Sequence, residues 1–247
     1  MIRDSFKDIL GHTHGLSFIT DVKLTGESDK TRIEAIAEDK SVVLMGETKE
    51  PIADLTDHVV GLHRMSVLSG YISGPMFDTD EAEISIVEQT RGDTTQPTEI
   101  KFDSKKGHKA FYRFMGEEAA SQIEMPKFKG VEWNVAFQPT IDNLKELSYF
   151  AGILGSYEPS FEVHMQDGNL QFHIGTGASD RTVLPIASDL EGNLNTAHHY
   201  PLAQVLSILK LSDSEQCVIQ FSDVGCMQIT LDSGLGIYDF ILPAKMR

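Results

Sequence analysis

The sequence predicts an α+β fold of two similar units, each with two helices packed on antiparallel sheets. Three observations predict it. Short runs rich in Val, Ile, Phe and Thr recur along the chain, separated by Gly, Asp, Asn and Ser, which is the pattern of many strands joined by turns. Some runs alternate strictly, as in Phe161-Glu162-Val163-His164-Met165 and Leu170-Gln171-Phe172-His173-Ile174, and such alternation means sheets with one wet face. Helical periodicity is confined to four short segments, two in each half.

In chain order, a first helix is expected over about 2–11, then strands at 16–23, 31–38 and 41–48, then a second helix over 59–70. Strands at 82–88, 97–103 and 108–114 follow, with 90–97 (TRGDTTQP) as an exposed, turn-rich loop. A strand at 131–137 precedes a third helix over 140–154, where Leu144, Leu147 and Ala151 share a face and Thr140 is placed to cap the start. Strands at 160–165 and 169–175 flank Gln166-Asp167-Gly168-Asn169, a hairpin turn by composition. A strand at 181–187 leads to a fourth helix over 200–210, whose Leu202, Val205, Leu206 and Leu209 fall at i, i+3, i+4 and i+7. Strands at 216–221, 226–231 and 236–242 complete the series.

The helices come in duplicate. Asp4-Ser5-Phe6-Lys7-Asp8-Ile9 and Asp142-Asn143-Leu144-Lys145-Glu146-Leu147 share the order acid, polar, apolar, Lys, acid, apolar at an offset of 138. Leu62 and Met65 fall on Leu202 and Val205 at an offset of 140. An internal duplication of a unit of about 120 residues accounts for both. The expected division is a first domain at 1–118, a linker at 119–130 rich in small and charged residues, and a second domain at 131–247.

Composition narrows the function. With 247 residues, 40% of them hydrophobic, a packed core is affordable. No run approaches the roughly 18–20 apolar residues of a membrane span, and the opening MIRDSFKDILGHTHG does not read as an export signal. Two cysteines, Cys217 and Cys226, make no disulfide framework, so a reducing cytoplasm is the expected setting, that of the host cell if the protein is viral. The net charge of −16 argues against ordinary nucleic-acid binding, which needs Lys and Arg on phosphates. A closed ring escapes that argument, because it holds DNA topologically and its acidic outside does not face the phosphates.

Catalytic signatures are missing from the sequence. There is no Walker A run, no GxGxxG in a strand-to-helix context, no CxxC and no HExxH. His12 and His14, the pair His198 and His199, and His164 with His173 at facing strand positions are read as ordinary surface or core histidines, and no metal or cofactor is expected. Cys217 sits in an apolar run and is read as a buried, inert thiol. A β-rich phage tail or baseplate protein would share the acidity and the strands without needing duplicated helices. A two-domain hydrolase would need a clustered polar site, and the sequence offers none.

Two repeats of two helices plus many strands resemble the DNA sliding clamps of tailed bacteriophages. The segment Gly236-Ile-Tyr-Asp-Phe-Ile-Leu-Pro-Ala-Lys-Met-Arg247 resembles the clamp C-terminus, where a final apolar strand containing Tyr runs into a short tail with Pro. The resemblance implies a non-enzymatic ring, a trimer in the phage type, with helices lining the hole. Its partners would be double-stranded DNA, a replicative polymerase and an ATP-dependent clamp loader. At about 100° per residue, Arg64 and Gln204 fall near the centre of the solvent faces of the second and fourth helices. Arg3, Lys7, His63, Lys145 and Lys210 fall on flanks, giving a sparse DNA-facing set. Asp4, Asp8, Asp142 and Glu146 share those polar faces, a departure from a simply positive bore. The resemblance also implies a subunit joint between strand 109–114, with Phe111, Tyr112 and Phe114, and strand 181–186, with Val183 and Pro185. It further implies a partner-peptide pocket formed by Met125, Pro126, Phe128, Ile241, Leu242 and Pro243.

Overall fold

The computed structural model describes residues 2–92, 94–211 and 216–245, with Arg91 described by its backbone alone. Met246 and Arg247, the end of the tail segment, lie outside these residues. The chain divides into two compact units, one of residues 1–38, 44–126 and 234–237, the other of 39–43, 127–233 and 238–247.

In the first unit, helix α1 (Ile2–His12) buries Phe6, Ile9 and Leu10 on one face. Strands β1 (Val22–Gly26), β2 (Thr31–Ile36), β3 (Val43–Thr48) and β4 (Val59–Leu62) pair in the order β4-β1-β2-β3. Helix α2 (Met65–Ile72) packs on α1 and buries Met65, Leu68 and Ile72. Strands β5 (Glu83–Arg91), β6 (Thr94–Asp103) and β7 (Lys109–Arg113) form a second antiparallel sheet in that order. A single-turn helix, α3 (Glu117–Ala120), follows.

The second unit opens with a three-residue strand, β8 (Val135–Phe137), and helix α4 (Ile141–Leu154). A capping box starts α4: Thr140 Oγ1 accepts from Asn143 N at 3.1 Å, and Asn143 Oδ1 accepts from Thr140 N at 2.9 Å. Strands β9 (Ser160–Gln166), β10 (Asn169–Ile174), β11 (Thr182–Ala187) and β12 (His198–Pro201) pair in the order β11-β10-β9-β12. Helix α5 (Leu202–Leu209) packs on α4. Strands β13 (Cys217–Ser222), β14 (Cys226–Asp232) and β15 (Gly236–Pro243) pair in sequence order, with β8 added beside β13. Phe161, Phe172, Tyr200 and Phe221 form an aromatic cluster in the core, with ring centroids 4.5–6.2 Å apart.

The two topologies coincide. Each unit runs from a helix through four strands, paired as fourth-first-second-third, to a second helix and three strands in sequence order. The fold is α+β with two similar units, as the duplicated helices indicate. Two of these elements break the correspondence: among the described residues, β8 has no counterpart in the first unit and α3 has none in the second.

Four expectations need correction. The strand expected at 16–23 begins only at Val22, because His14–Leu16 form a 3-10 turn closed by Ser17 at φ 65°. The helix expected over 59–70 is two elements, since Val59–Leu62 pair with β1 and the helix starts at Met65. Val59-Val60 favours extended backbone, and Gly61 is required there, because a Cβ would meet the Met115 Cβ at 2.8 Å. The helix expected over 200–210 is likewise preceded by β12, leaving α5 at 202–209. The loop expected at 90–97 is the tip of a β-hairpin paired to Arg91↔Thr94, with Gly92 at φ 62°. The hairpin at Gln166–Asn169 does form, with Asp167 at φ 50° and Gly168 at φ 76°, the positive pair that a two-residue turn needs.

Candidate nucleic-acid interface and joining edges

The four main helices hold three basic residues, Arg3, Lys7 and Lys145, against four acidic ones, Asp4, Asp8, Asp142 and Glu146. Arg64 precedes α2 and Lys210 follows α5 as cap residues. The helical faces are therefore close to neutral, while the whole chain carries 37 acidic against 21 basic residues. The acid excess resides in strands and loops.

Within the first unit, Arg3 is committed to its own fold. Its guanidinium donates to the carbonyls of Thr79 at 2.7 Å and Ala82 at 3.0 Å, pinning the loop before β5. Lys7 donates to Asp78 Oδ1 at 2.5 Å. His63 does not lie on a helix; it sits half-buried between β4 and α2. Burial, with the neighbouring Arg64 charge, holds its imidazole pKa below the usual value. Arg64 is exposed and takes the left-handed conformation, φ 47° and ψ 44°, at the cap of α2, rather than the centre of a helical face.

In the second unit, Lys145 is exposed and lies 3.1 Å from Asp142 one turn earlier. Gln204 is half-buried on α5, and Lys210 is exposed at its C-cap. Gln204 and Lys210 line a cavity of about 620 Å³ beside α4, floored by Ala151, Gly152, Gly155 and Ala203. Among the described residues, Arg64 and Lys210 are expected DNA-facing cations without an ion-pair partner. Sequence reasoning missed the exposed face of α4, where Tyr149 is 66% exposed and Ile141 and Ile153 are also outward. The period-3.6 pattern concealed it, since those residues read equally well as core.

Among the described residues, the terminal strands of the sheets include β7 and β11. β7 ends the sheet β5-β6-β7, and β11 ends the sheet β11-β10-β9-β12. Alternation splits the expected joint residues. Phe111 and Val183 face outward at 49% and 47% exposure, and Pro185 is exposed on β11. Tyr112 and Phe114 face inward and are buried. The Tyr112 hydroxyl donates to the His63 carbonyl at 2.5 Å and accepts from the His63 N–H at 3.0 Å, and burial pushes its pKa up to about 12.

Of the expected pocket residues, Ile241 and Leu242 are core side chains of β15, with Leu242 0% exposed. Pro243 is exposed at the strand end. Met125 is half-buried, and Pro126 and Phe128 are exposed in irregular chain after α3.

This architecture, with two copies of one topology in a single chain, is the sliding-clamp fold. Solved clamps superpose along its whole length: proliferating cellular nuclear antigen (PCNA) of A. fulgidus, solved with the C-terminal region of FEN-1 bound, at a TM-score of 0.70 and 10% identity over 97% of this chain and 96% of that one. PCNA of Thermococcus kodakaraensis gives 0.67 and 14% identity over 99% and 97%, and that of Entamoeba histolytica 0.65 and 10% over 100% and 95%. No family model matches the chain, and no curated protein does. No helix among the described residues is long and apolar enough to cross a membrane.

Proposed function

We propose that this chain is the subunit of a DNA sliding clamp, a ring that encircles duplex DNA and tethers a replicative polymerase. The observation that carries the reading is the pair of unlike open edges, β7 with Phe111 outward and β11 with Val183 outward. Unlike edges join head to tail, and head-to-tail joints close into rings when the rotation permits. The near-neutral helices fit a bore that must not grip: topological closure replaces affinity, so a few screened contacts suffice. The chain has no need to be an enzyme for this task. A tail or baseplate component would not call for the duplicated topology, and we do not adopt that reading.

The finer reading is a homotrimer of the tailed-bacteriophage type, placed on DNA by an ATP-dependent loader and docking partner peptides near Pro243 and the 125–128 segment. Its support is the tail segment Gly236–Lys245 and the exposure of Pro126, Phe128 and Pro243. The test is retention on DNA. Protein loaded on nicked circular DNA should stay bound through gel filtration at high salt and be lost once the circle is cut. Equal loss from circles and linear DNA would sink the proposal. Light scattering should give about three times 27.4 kDa.

A further inference from the structure

Four residues stand in one row across the sheet β11-β10-β9-β12, on the face opposite the buried Phe161, Phe172, Leu184 and Tyr200. His199 on β12 is paired with Glu162 on β9, Glu162 with His173 on β10, and His173 with Val183 on β11. Directly opposed residues of antiparallel strands share a face. His164, two residues along β9 from Glu162, stacks on His173 with ring centroids 4.0 Å apart. Glu162 is the carboxylate among these rings: its Oε2 lies 3.0 Å from His164 Nε2 and its Oε1 3.5 Å from His199 Nε2. His173 Nε2 lies 3.1 Å from Gln171 Oε1. His173 and His199 also line a cavity of about 260 Å³, with Glu158 and Lys245, which gives solvent protons a way in. The row ends at the β11 edge, where Arg181 and Val183 are exposed.

We infer that this row is a proton-sensitive latch on the subunit joint, closed while its histidines are neutral and loosened when they carry charge. The inference rests on the joint proposed above, in which β11 meets β7 of the next copy. The outward residues of β7 are Lys109, Phe111 and Arg113, with Asp103 and Glu99 opposite the two cations one strand further back. At neutral pH Glu162 offsets Arg181, Glu158 offsets Lys245, and Val183 meets Phe111 as an apolar contact. Each proton added to the row leaves positive charge there. Two charged rings 4.0 Å apart cannot both be neutralised by one carboxylate, so positive then faces the positive row of β7. His173 sits one strand inside the edge, about two strand spacings or roughly 10 Å from β7, a distance that is not screened out at low salt. Burial, then the His164 charge, already holds the His173 pKa below 6.5, and the cations of β7 lower it further in the joined state. The separate subunit therefore takes up the proton more readily than the joined one, and association weakens as pH falls below about 6.5.

Sedimentation equilibrium of the full chain at low salt, from pH 7.5 to 5.5, reads the association. It should weaken about tenfold per joint over that range, with the circular dichroism unchanged, and high salt should abolish the dependence. His173→Gln cannot take the charge and should associate alike at both ends. His173→Lys should show the weakened association already at pH 7.5. Association that is independent of pH in the unaltered chain overturns the inference, as does a pH dependence that persists in His173→Gln. A chain that is monomeric at every pH and concentration overturns the joint itself and the latch with it, so the two failures are told apart.

Discussion

At the scale of single residues, two kinds of titrating group set the expected response to pH. His173 stacks on His164 with ring centroids 4.0 Å apart, and burial together with the His164 charge holds its pKa below 6.5. His63 is held low by burial and Arg64. For both, the unfolded chain takes up a proton before the folded one does, so stability falls as pH drops below about 6.5 and levels off under the folded-state values. Asp223 behaves oppositely. Burial pushes its carboxyl up, but hydrogen bonds from Asn195 and Thr196 outweigh it and leave the pKa below 3.8. Its contribution is present above that value and is lost only at more acid pH. Urea denaturation across pH 7.5 to 5 should show the decline, and His173→Gln should flatten it; an unchanged slope would remove His173 from the account. Leu242 and Pro243, adjacent in sequence, should part company. Leu242→Glu buries a charge and should cost at least 3 to 5 kcal/mol, roughly enough to unfold the unit. Pro243→Glu should fold normally and lose only partner stimulation, measured as polymerase product length.

Elements show which parts of the fold could be read from the sequence. Strands with strict alternation, such as β9 and β10, were legible because one face of each is buried and the other wet. Helices α1 and α4 were legible from periodicity and from the Thr140 cap. The approaches to α2 and α5 were not: Val59, Val60 and Leu62 stand at spacings that also suit a helix, and Tyr200-Pro201 runs straight into the periodic segment of α5. Only pairing with β1 and β9 makes them strands. The strands that the resemblance singles out, β7 and β11, do end their sheets, but only the folded chain separates outward Phe111 and Val183 from inward Tyr112 and Phe114. If these edges join copies, Phe111→Arg or Val183→Arg should leave the circular dichroism unchanged and reduce the mass in solution to about one 27.4 kDa subunit. An unaltered mass would move the joint elsewhere.

On the scale of the whole molecule, charge is sorted. Helices that resemble a clamp's lining are nearly balanced, and the excess acid lies in strands and loops. Net composition could not reveal this, because summing the chain erases where each charge sits. Of the expected DNA-facing cations among the described residues, Arg64 and Lys210 have no ion-pair partner, and Arg64 occupies a backbone state that L residues with side chains avoid. A left-handed arginine costs on the order of 1 kcal/mol relative to a residue at ease there. Glycine would be at ease. Arg64→Gly should therefore raise the urea midpoint while shortening residence on circular DNA at moderate salt, and a variant that gained in one without losing in the other would separate the two roles. A natural chain that keeps the less comfortable residue would be trading heat tolerance for traction along the duplex.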